Sequence, residues 1–461
     1  MSLAVVILAA GKGTRMRSQQ PKVLHKLAGQ PLLRHVLTTA QLLNPEKIII
    51  VIGHGAPQIR AAFADEPNIQ WVEQTQQLGT GHAVQQALPF IYESQKTLVL
   101  YGDVPLTNVE TLKALVADCS EKHLALLTAV LDDATGYGRI VRDAQNQVQR
   151  IVEQKDASAA ELEIREINTG ILVAASTLLK QQLPLLKNNN AQGEYYLTDL
   201  IAAAVVQNVD IKTTFAKRPQ EITGVNSRSQ LAALERVHQR ELAEALMDAG
   251  VTLADPNRID IRGALSSGED SFIDVDVVIE GNVTLGRNVR IGPFVHLINC
   301  SIADNSEIKS HSVIESAVIS EHCTVGPFAR LRPGTRLADH AKIGNFVETK
   351  QANIGEHSKI NHLSYVGDAL VGRDVNIGAG TITCNYDGAN KHQTIIEDGV
   401  FVGSDTQLIA PVKIGRNSTI GAGSTINKDT AENSLTLSRV KQRSIDDWQR
   451  PQKKPDTNKS D

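Results

Sequence analysis

Aromatic residues are scarce in this chain of 461 residues, at 4% of the total, which leaves small aliphatics to fill its cores. Cys119, Cys300, Cys323 and Cys384 are widely separated and form no Cys-x-x-Cys pair. That spacing speaks against a zinc site and for free thiols in a cytoplasmic protein. The net charge is only −4, so no broad nucleic-acid partner is indicated. No apolar run approaches the roughly 18 residues of a membrane helix, and no membrane span is expected. The apolar start, Met1 to Met16, lacks a basic leader and reads as a buried strand entering a loop.

What the chain does have is a six-residue period. Aliphatic residues recur at Ile273, Ile279, Leu285, Ile291 and Leu297, at Val325, Leu331, Leu337 and Ile343, and at Ile396, Val402, Leu408, Ile414, Ile420 and Ile426. Such a period fits a solenoid in which each hexapeptide is one short strand plus a corner. Three positions past each aliphatic stand Asn282, Asn288, Asn305, His311, His322, Gly334, His340, His357, Asp374, Gly380, Asp405, Asn417, Gly423 and Asp429. These residue types tolerate positive φ, so each corner is expected to be left-handed in its backbone. The period slips to five residues at Leu297–Ile302, Ile314–Ile319 and Val366–Val371. About seven extra residues between Thr383 and Ile396 predict an excursion over Cys384–His392. An excursion from a rigid rod is a place to look for function.

Upstream, strand-like and helix-like patterns alternate, which predicts an α/β unit with a largely parallel sheet. Strands are expected at Ala4–Leu8, Lys47–Ile52, Thr97–Tyr101, Leu124–Val130 and Gly170–Val173, and helices at Leu32–Leu42, Gly81–Leu88, Val109–Ala117 and Leu197–Val206. Ser227–Ala249 reads as a long amphipathic helix with Leu231, Leu234, His238, Leu242 and Ala245 on one stripe, stopped by Gly250. The expected organisation is therefore an α/β domain over 1–226, a linker helix over 227–250, a β-solenoid over 251–440 and a polar tail over 441–461, mobile at its end.

The first strand runs into Leu8-Ala9-Ala10-Gly11-Lys12-Gly13-Thr14-Arg15, where small residues let backbone N–H groups approach phosphate oxygens. The segment matches neither GxxxxGK[ST] nor GxGxxG, so ordinary P-loop and dinucleotide readings fail. Pro21-Lys22, Leu78-Gly79-Thr80-Gly81-His82-Ala83 and Tyr101-Gly102-Asp103-Val104-Pro105 follow at strand ends, where open α/β sheets bind ligands. Arg15 and Lys22 can neutralise phosphate charge, and Asp103 is a hard oxygen ligand suited to Mg²⁺.

In this order the motifs resemble the sugar-phosphate nucleotidyltransferases, and the hexapeptides resemble the left-handed parallel β-helix of hexapeptide-repeat acyltransferases. The handedness comes with that resemblance and not from the period. Together, over residues 3 to about 440, they resemble the bacterial bifunctional family that joins N-acetylglucosamine-1-phosphate uridyltransferase to glucosamine-1-phosphate acetyltransferase. The fold class implied is a Rossmann-like nucleotidyltransferase domain, a linker helix and a left-handed parallel β-helix. The resemblance implies UTP and acetyl-CoA as co-substrates and Mg²⁺ held by Asp103 and Asn226, whose alternative reading is a helix N-cap. It places Leu8, Ala9, Ala10, Gly11, Lys22, Gln74, Gly79, Thr80, Tyr101, Gly102 and Asp103 around the nucleotide, and Gly138, Glu153 and Asn168 around the sugar.

Acetylating a 2-amino sugar calls for a neutral amine and a general base, for which His is suited. His311, His322, His340 and His357 occupy corner slots, where a structural role is expected, whereas His362 falls two places after Ile360, outside the slot. The resemblance makes His362 the proton acceptor and puts Arg332, Lys350, Tyr365 and Asn376 on the sugar phosphate. It assigns Ala379, Asn385, Tyr386, Ser404, Ala422 and Arg439 to acetyl-CoA, and implies a homotrimer in which Asn385-Tyr386 serves a neighbouring chain. Two other readings stay open at this point: a single-activity nucleotidyltransferase with an oligomerising or regulatory rod, and a non-catalytic solenoid scaffold.

Overall fold

The computed structural model describes residues 2–453, so the far end of the polar tail, where mobility is expected, lies outside the described residues. Two compact units divide the chain: the first holds residues up to Asp248 together with Asp255–Ala264 and Val278–Gly281, and the second holds the rest.

In the first unit, β1 (Leu3–Ala9), β2 (Lys47–Ile52), β3 (Ile69–Glu73), β4 (Lys96–Tyr101), β5 (His123–Val130), β6 (Gly138–Arg142), β7 (Val148–Val152), β8 (Glu166–Ala175) and β9 (Asp210–Phe215) make one sheet. Its main path runs β9-β5-β8-β4-β1-β2-β3, and the β6–β7 hairpin branches from β8. Ala4 to Ile7 are wholly buried, because a central strand covered on both faces has no polar side. The sheet is mixed where a largely parallel one is expected. β8 enters antiparallel between β4 and β5 and carries the antiparallel hairpin with it. A run of residues buried on both faces does not encode strand direction, so the alternation of patterns could not reveal this.

The long helix spans Arg228–Asp248, but its buried residues are Leu234, Gln239, Ala243 and Leu246, and the expected Ala245 is exposed. A polar residue turns the face. The Gln239 side chain donates from Nε2 to the Ile261 carbonyl at 2.7 Å and accepts the Ile261 N–H through Oε1 at 2.7 Å. It pairs with that strand as a backbone amide would, which a hydrophobicity pattern does not register.

In the second unit short strands pair in parallel, coil upon coil, along two long sheets. Every aliphatic residue of the six-residue series is buried. Ile291 pairs with Ile308, 17 residues on, and Val325 with Ile343, 18 on, so three hexapeptides close one coil and a five-residue step shortens it. The corners follow the expected chemistry: Asn288, Asn305, His311, His322, Gly334, His340, His357, Asp374, Gly380, Asp405, Asn417 and Gly423 all have positive φ. Asn282 and Asp429 do not, and next to Asn282 it is Gly281 that takes the left-handed position, at φ 67. Phe294, Phe328, Phe346 and Leu363 also turn corners at positive φ. The three phenylalanines stack in one column with His311, at centroid separations of 4.7 to 5.2 Å. Ring stacking here accompanies a conformation that the residue type alone disfavours.

Candidate active sites

The strand ends of the first unit surround a cleft of about 310 Å³, lined among others by Leu8, Ala9, Ala10, Gly11, Lys22, Gln74, Gly79, Thr80, Tyr101 and Asp103. Glycine is required at two of its edges. Gly13 adopts φ 58, and a Cβ there would lie 2.7 Å from the Cβ of Lys22, so the loop folds directly over the lysine stem. Gly79 adopts φ 112, and its Cβ would meet the Tyr195 carbonyl at 2.6 Å. Gln74 is buried and donates to the Gly79 carbonyl at 3.0 Å, which ties the end of β3 to this loop. Lys12, Gln77 and Glu194 also line the cleft, outside the sequence-based set. For Lys12 the signal was its place inside the Gly-rich loop; Glu194 is brought in by a distant segment and left none. Arg15 is exposed and is not part of the lining.

The Lys22 ammonium is bonded to the Asp103 carboxylate and lies 3.1 Å from Asn226 Oδ1. Both side chains of the ion pair are largely shielded from solvent, at 13% and 16% exposure. Asn226 is free for this because it does not cap the helix. Ser227 accepts the Gln230 N–H, and Gln230 Oε1 in turn accepts the Asn226 N–H. Val225 N–H donates to the Asp103 carbonyl at 2.9 Å, which fixes the two segments side by side. Two oxygens thus converge on one cationic centre, and their hard-oxygen chemistry suits Mg²⁺.

Gly138, Glu153 and Asn168 also come together. Asn168 pairs with Gly138 in register, and a Cβ on Gly138 would lie 3.5 Å from the Glu153 carboxylate. Burial pushes the Glu153 carboxyl above its usual pKa, opposed by a hydrogen bond from Thr198 at 3.1 Å. The Tyr101 phenol is pushed up by burial and further by the charges of Glu153 and Asp103. Gly170 makes room for that ring, since its Cβ would approach Tyr101 Cε2 to 2.6 Å.

The second unit gathers the other set. Arg332 donates to Glu348 at 2.8 Å, and the Lys391 ammonium crowds Lys350 and, together with Arg332, lowers its pKa. Arg332, Lys350 and Lys391 thus gather near the carboxylates of Glu348 and Asp368. Lys391 was not anticipated, although it lies in the predicted excursion. Asn385, on the same excursion, bonds Asp368 and lies 3.5 Å from the Tyr365 hydroxyl. The excursion is braced: Asp387 accepts the Ala389 and Asn390 N–H groups at 2.8 and 2.7 Å and contacts His392 at 2.7 Å. Tyr386 stands on it at 61% exposure.

Register shows how His362 relates to the remaining residues. Ile360, Ile377, Val402 and Ile420 pair successively, so His362, Ala379, Ser404 and Ala422, each two places further on, form one stripe up the coil. Arg439 caps it, with Nη1 2.8 Å from the Ala422 carbonyl. The left-handed corner after Ile360 belongs to Leu363, which leaves the His362 ring free of that duty. Asn376 pairs with Lys359 and Phe401 beside the stripe.

Among the described residues no helix is long and apolar enough to cross a membrane, and no group of three metal-ligating side chains is assembled.

Comparison with known proteins agrees with two transferase units. The MobA-like NTP transferase domain matches residues 5–248, the GMPPB C-terminal domain residues 261–345 and the bacterial transferase hexapeptide (six repeats) residues 393–428. The bifunctional protein GlmU of Marinobacter nauticus is 59% identical, covering 98% of this chain and 99% of that protein. Those of Ralstonia nicotianae and Alcanivorax borkumensis are 56% and 57% identical, over 97% and 98% of this chain and 98% and 100% of theirs. With a nucleotidyltransferase sheet and a hexapeptide coil matched from one end to the other, the chain belongs to the bifunctional GlmU family.

Proposed function

We propose that the chain catalyses two consecutive transfers of UDP-N-acetylglucosamine synthesis. The coil acetylates glucosamine-1-phosphate from acetyl-CoA, and the N-terminal cleft joins the product to the uridylyl group of UTP. The observation that supports this best is a match to bifunctional GlmU proteins over 98% of the chain, with the two residue sets on separate scaffolds. Among the competing readings, a purely oligomerising or regulatory coil leaves the His362 stripe and the Arg332–Lys350–Lys391 cluster without a task.

In the cleft, an oxygen of the sugar phosphate attacks the α-phosphorus of UTP. A P–O bond forms, the bond to the bridging oxygen breaks, and pyrophosphate leaves. The Gly-rich loop and Lys22 hold the phosphates, Gln74 presents its amide to the base, and Asn168 and Glu153 orient the sugar. Asp103 and Asn226 would hold Mg²⁺, which supplies further neutralisation of phosphate charge when bound. Lys22 occupies the point on which their oxygens converge, so it competes with a metal until phosphates draw it away. Replacing it, Lys22→Met, is expected to tighten Mn²⁺ binding to nucleotide-free protein by about tenfold, roughly 1.4 kcal/mol. Paramagnetic resonance of free Mn²⁺ measures this, and an unchanged affinity would show that Lys22 does not compete.

On the coil, the amine nitrogen attacks the thioester carbonyl, the C–N bond forms, the C–S bond breaks, and coenzyme A leaves as the thiol. His362 accepts the amine proton, while Arg332, Lys350, Tyr365 and Asn376 hold the sugar phosphate. Ala379, Asn385, Tyr386, Ser404, Ala422 and Arg439 receive acetyl-CoA. We place the protein in the cytoplasm, where free thiols persist, and as a homotrimer in which the exposed excursion reaches a neighbouring chain.

The test is to incubate the protein with glucosamine-1-phosphate, acetyl-CoA and each nucleoside triphosphate in turn and weigh the product. UDP-N-acetylglucosamine, formed with UTP, is expected. A nucleotide sugar without the acetyl group, or equal use of every triphosphate, would refute the assignment.

A further inference from the structure

One polar contact at the coil site has no task in the chemistry above. His362 Nδ1 lies 2.6 Å from Asn345 Oδ1. The two residues are 17 apart and face each other in register on successive coils. Gly344 makes their approach possible: a Cβ there would fall 1.9 Å from the Asn361 carbonyl oxygen, so any side chain would drive the two strands apart. The charged residues on the three strands stacked here, Lys342–Asn345, Lys359–His362 and Asn376–Ile377, are Lys342 and Lys359. None of these strands carries a carboxylate that could take the place of Asn345, and the corner residue that follows is Leu363.

We infer that Asn345 is the positioning residue for His362, its amide oxygen accepting the Nδ1–H and thereby leaving Nε2 as the free base. The inference rests on His362 being the proton acceptor of acetyl transfer. A neutral imidazole carries one N–H, and a carbonyl oxygen can only accept, so the contact places the proton on Nδ1. A partner at one ring nitrogen fixes both the tautomer and the plane of the ring. An amide does so without charge. A carboxylate in its place would favour the imidazolium, which cannot take a proton from the amine. Because Asn345 acts from the preceding coil, it can orient the ring without touching the sugar or acetyl-CoA.

The experiment uses the full-length protein with ¹⁵N-labelled histidine and the variants Asn345→Leu, Asn345→Asp and His362→Asn. The His362 signals, assigned by their loss in His362→Asn, should report the Nδ1–H tautomer in the parent and a loss of that preference in Asn345→Leu. In Asn345→Leu, kcat for acetyl transfer should fall about 10- to 100-fold, the range for partners that orient a working imidazole. KM for both substrates should stay within about twofold, because uniform binding is untouched. In Asn345→Asp, the acidic limb of the acetyl-transfer pH profile should move up by about one pH unit. Far-UV circular dichroism and the thermal unfolding of the coil, measured on the same samples, report that each variant is folded. An Nε2–H tautomer in the parent, or parental kcat in Asn345→Leu, overturns the inference. If His362→Asn itself retains acetyl transfer, the general-base reading fails instead. If His362→Asn is inactive while Asn345→Leu is not, only the role of Asn345 is lost.

Discussion

Replacing Asp103 by alanine is expected to lower uridylyl transfer by about 10³-fold, or about 4 kcal/mol of transition-state stabilisation, while acetyl transfer stays within about twofold. The carboxylate lies at the end of β4, where Lys22 and Asn226 meet it. Without it the site keeps one oxygen of the converging pair and leaves the lysine ammonium unbalanced among incoming phosphates. Pyrophosphate release and thiol release, followed on one sample, measure both activities. Loss of both would show that the two sites depend on each other. Full uridylyl transfer would remove Asp103 from the metal site.

His362→Ala is the mirror case, with acetyl transfer falling by about 10²- to 10⁴-fold and uridylyl transfer retained. A sugar amine that behaves like an α-amino group, with a pKa of about 7.7–8.0, still has to shed a proton as it attacks. The four corner histidines of the coil are poorly placed to stand in. His322, His340 and His357 turn corners at φ 57 to 60 and stack ring on ring at 4.7 to 4.8 Å, and His311 is stacked between Phe294 and Phe328. Near-normal acetyl transfer in this variant would remove His362 as the base.

Much of this was legible in the residues. The aliphatic series identified the inward positions of the coil, because a six-residue period is a local property that needs no partner to be read. The Asn, Asp, His and Gly corners were legible for the same reason, since φ > 0 is a constraint on a single residue. His362 stood out from the corner histidines by its offset from Ile360, and the structure gives that corner to Leu363. The Gly-rich loop, Gly79, Thr80 and Asp103 were recognisable because each follows a strand or belongs to a motif, whereas Gln74 came only with the family resemblance; all of them line one cleft. Asn226 was ambiguous. A residue just before a helix also reads as a cap, and the capping by Ser227 leaves its side chain for Lys22.

Spacing along the chain was enough to reveal the two architectures, the inward faces and the positions of the Gly-rich loops. Which distant groups meet was set only in the folded chain. Folding inserted β8 antiparallel into the sheet, and it buried Gln239 against Ile261. It also brought Lys391 against Lys350 and set Asn345 beneath His362. The physical reason is that strand direction and coil-to-coil register are settled by packing and by pairing of backbone groups across space. A five-residue step makes a coil of 17 rather than 18 residues and can be read along the chain, but which side chains then face each other is set by the pairing of one coil on the next.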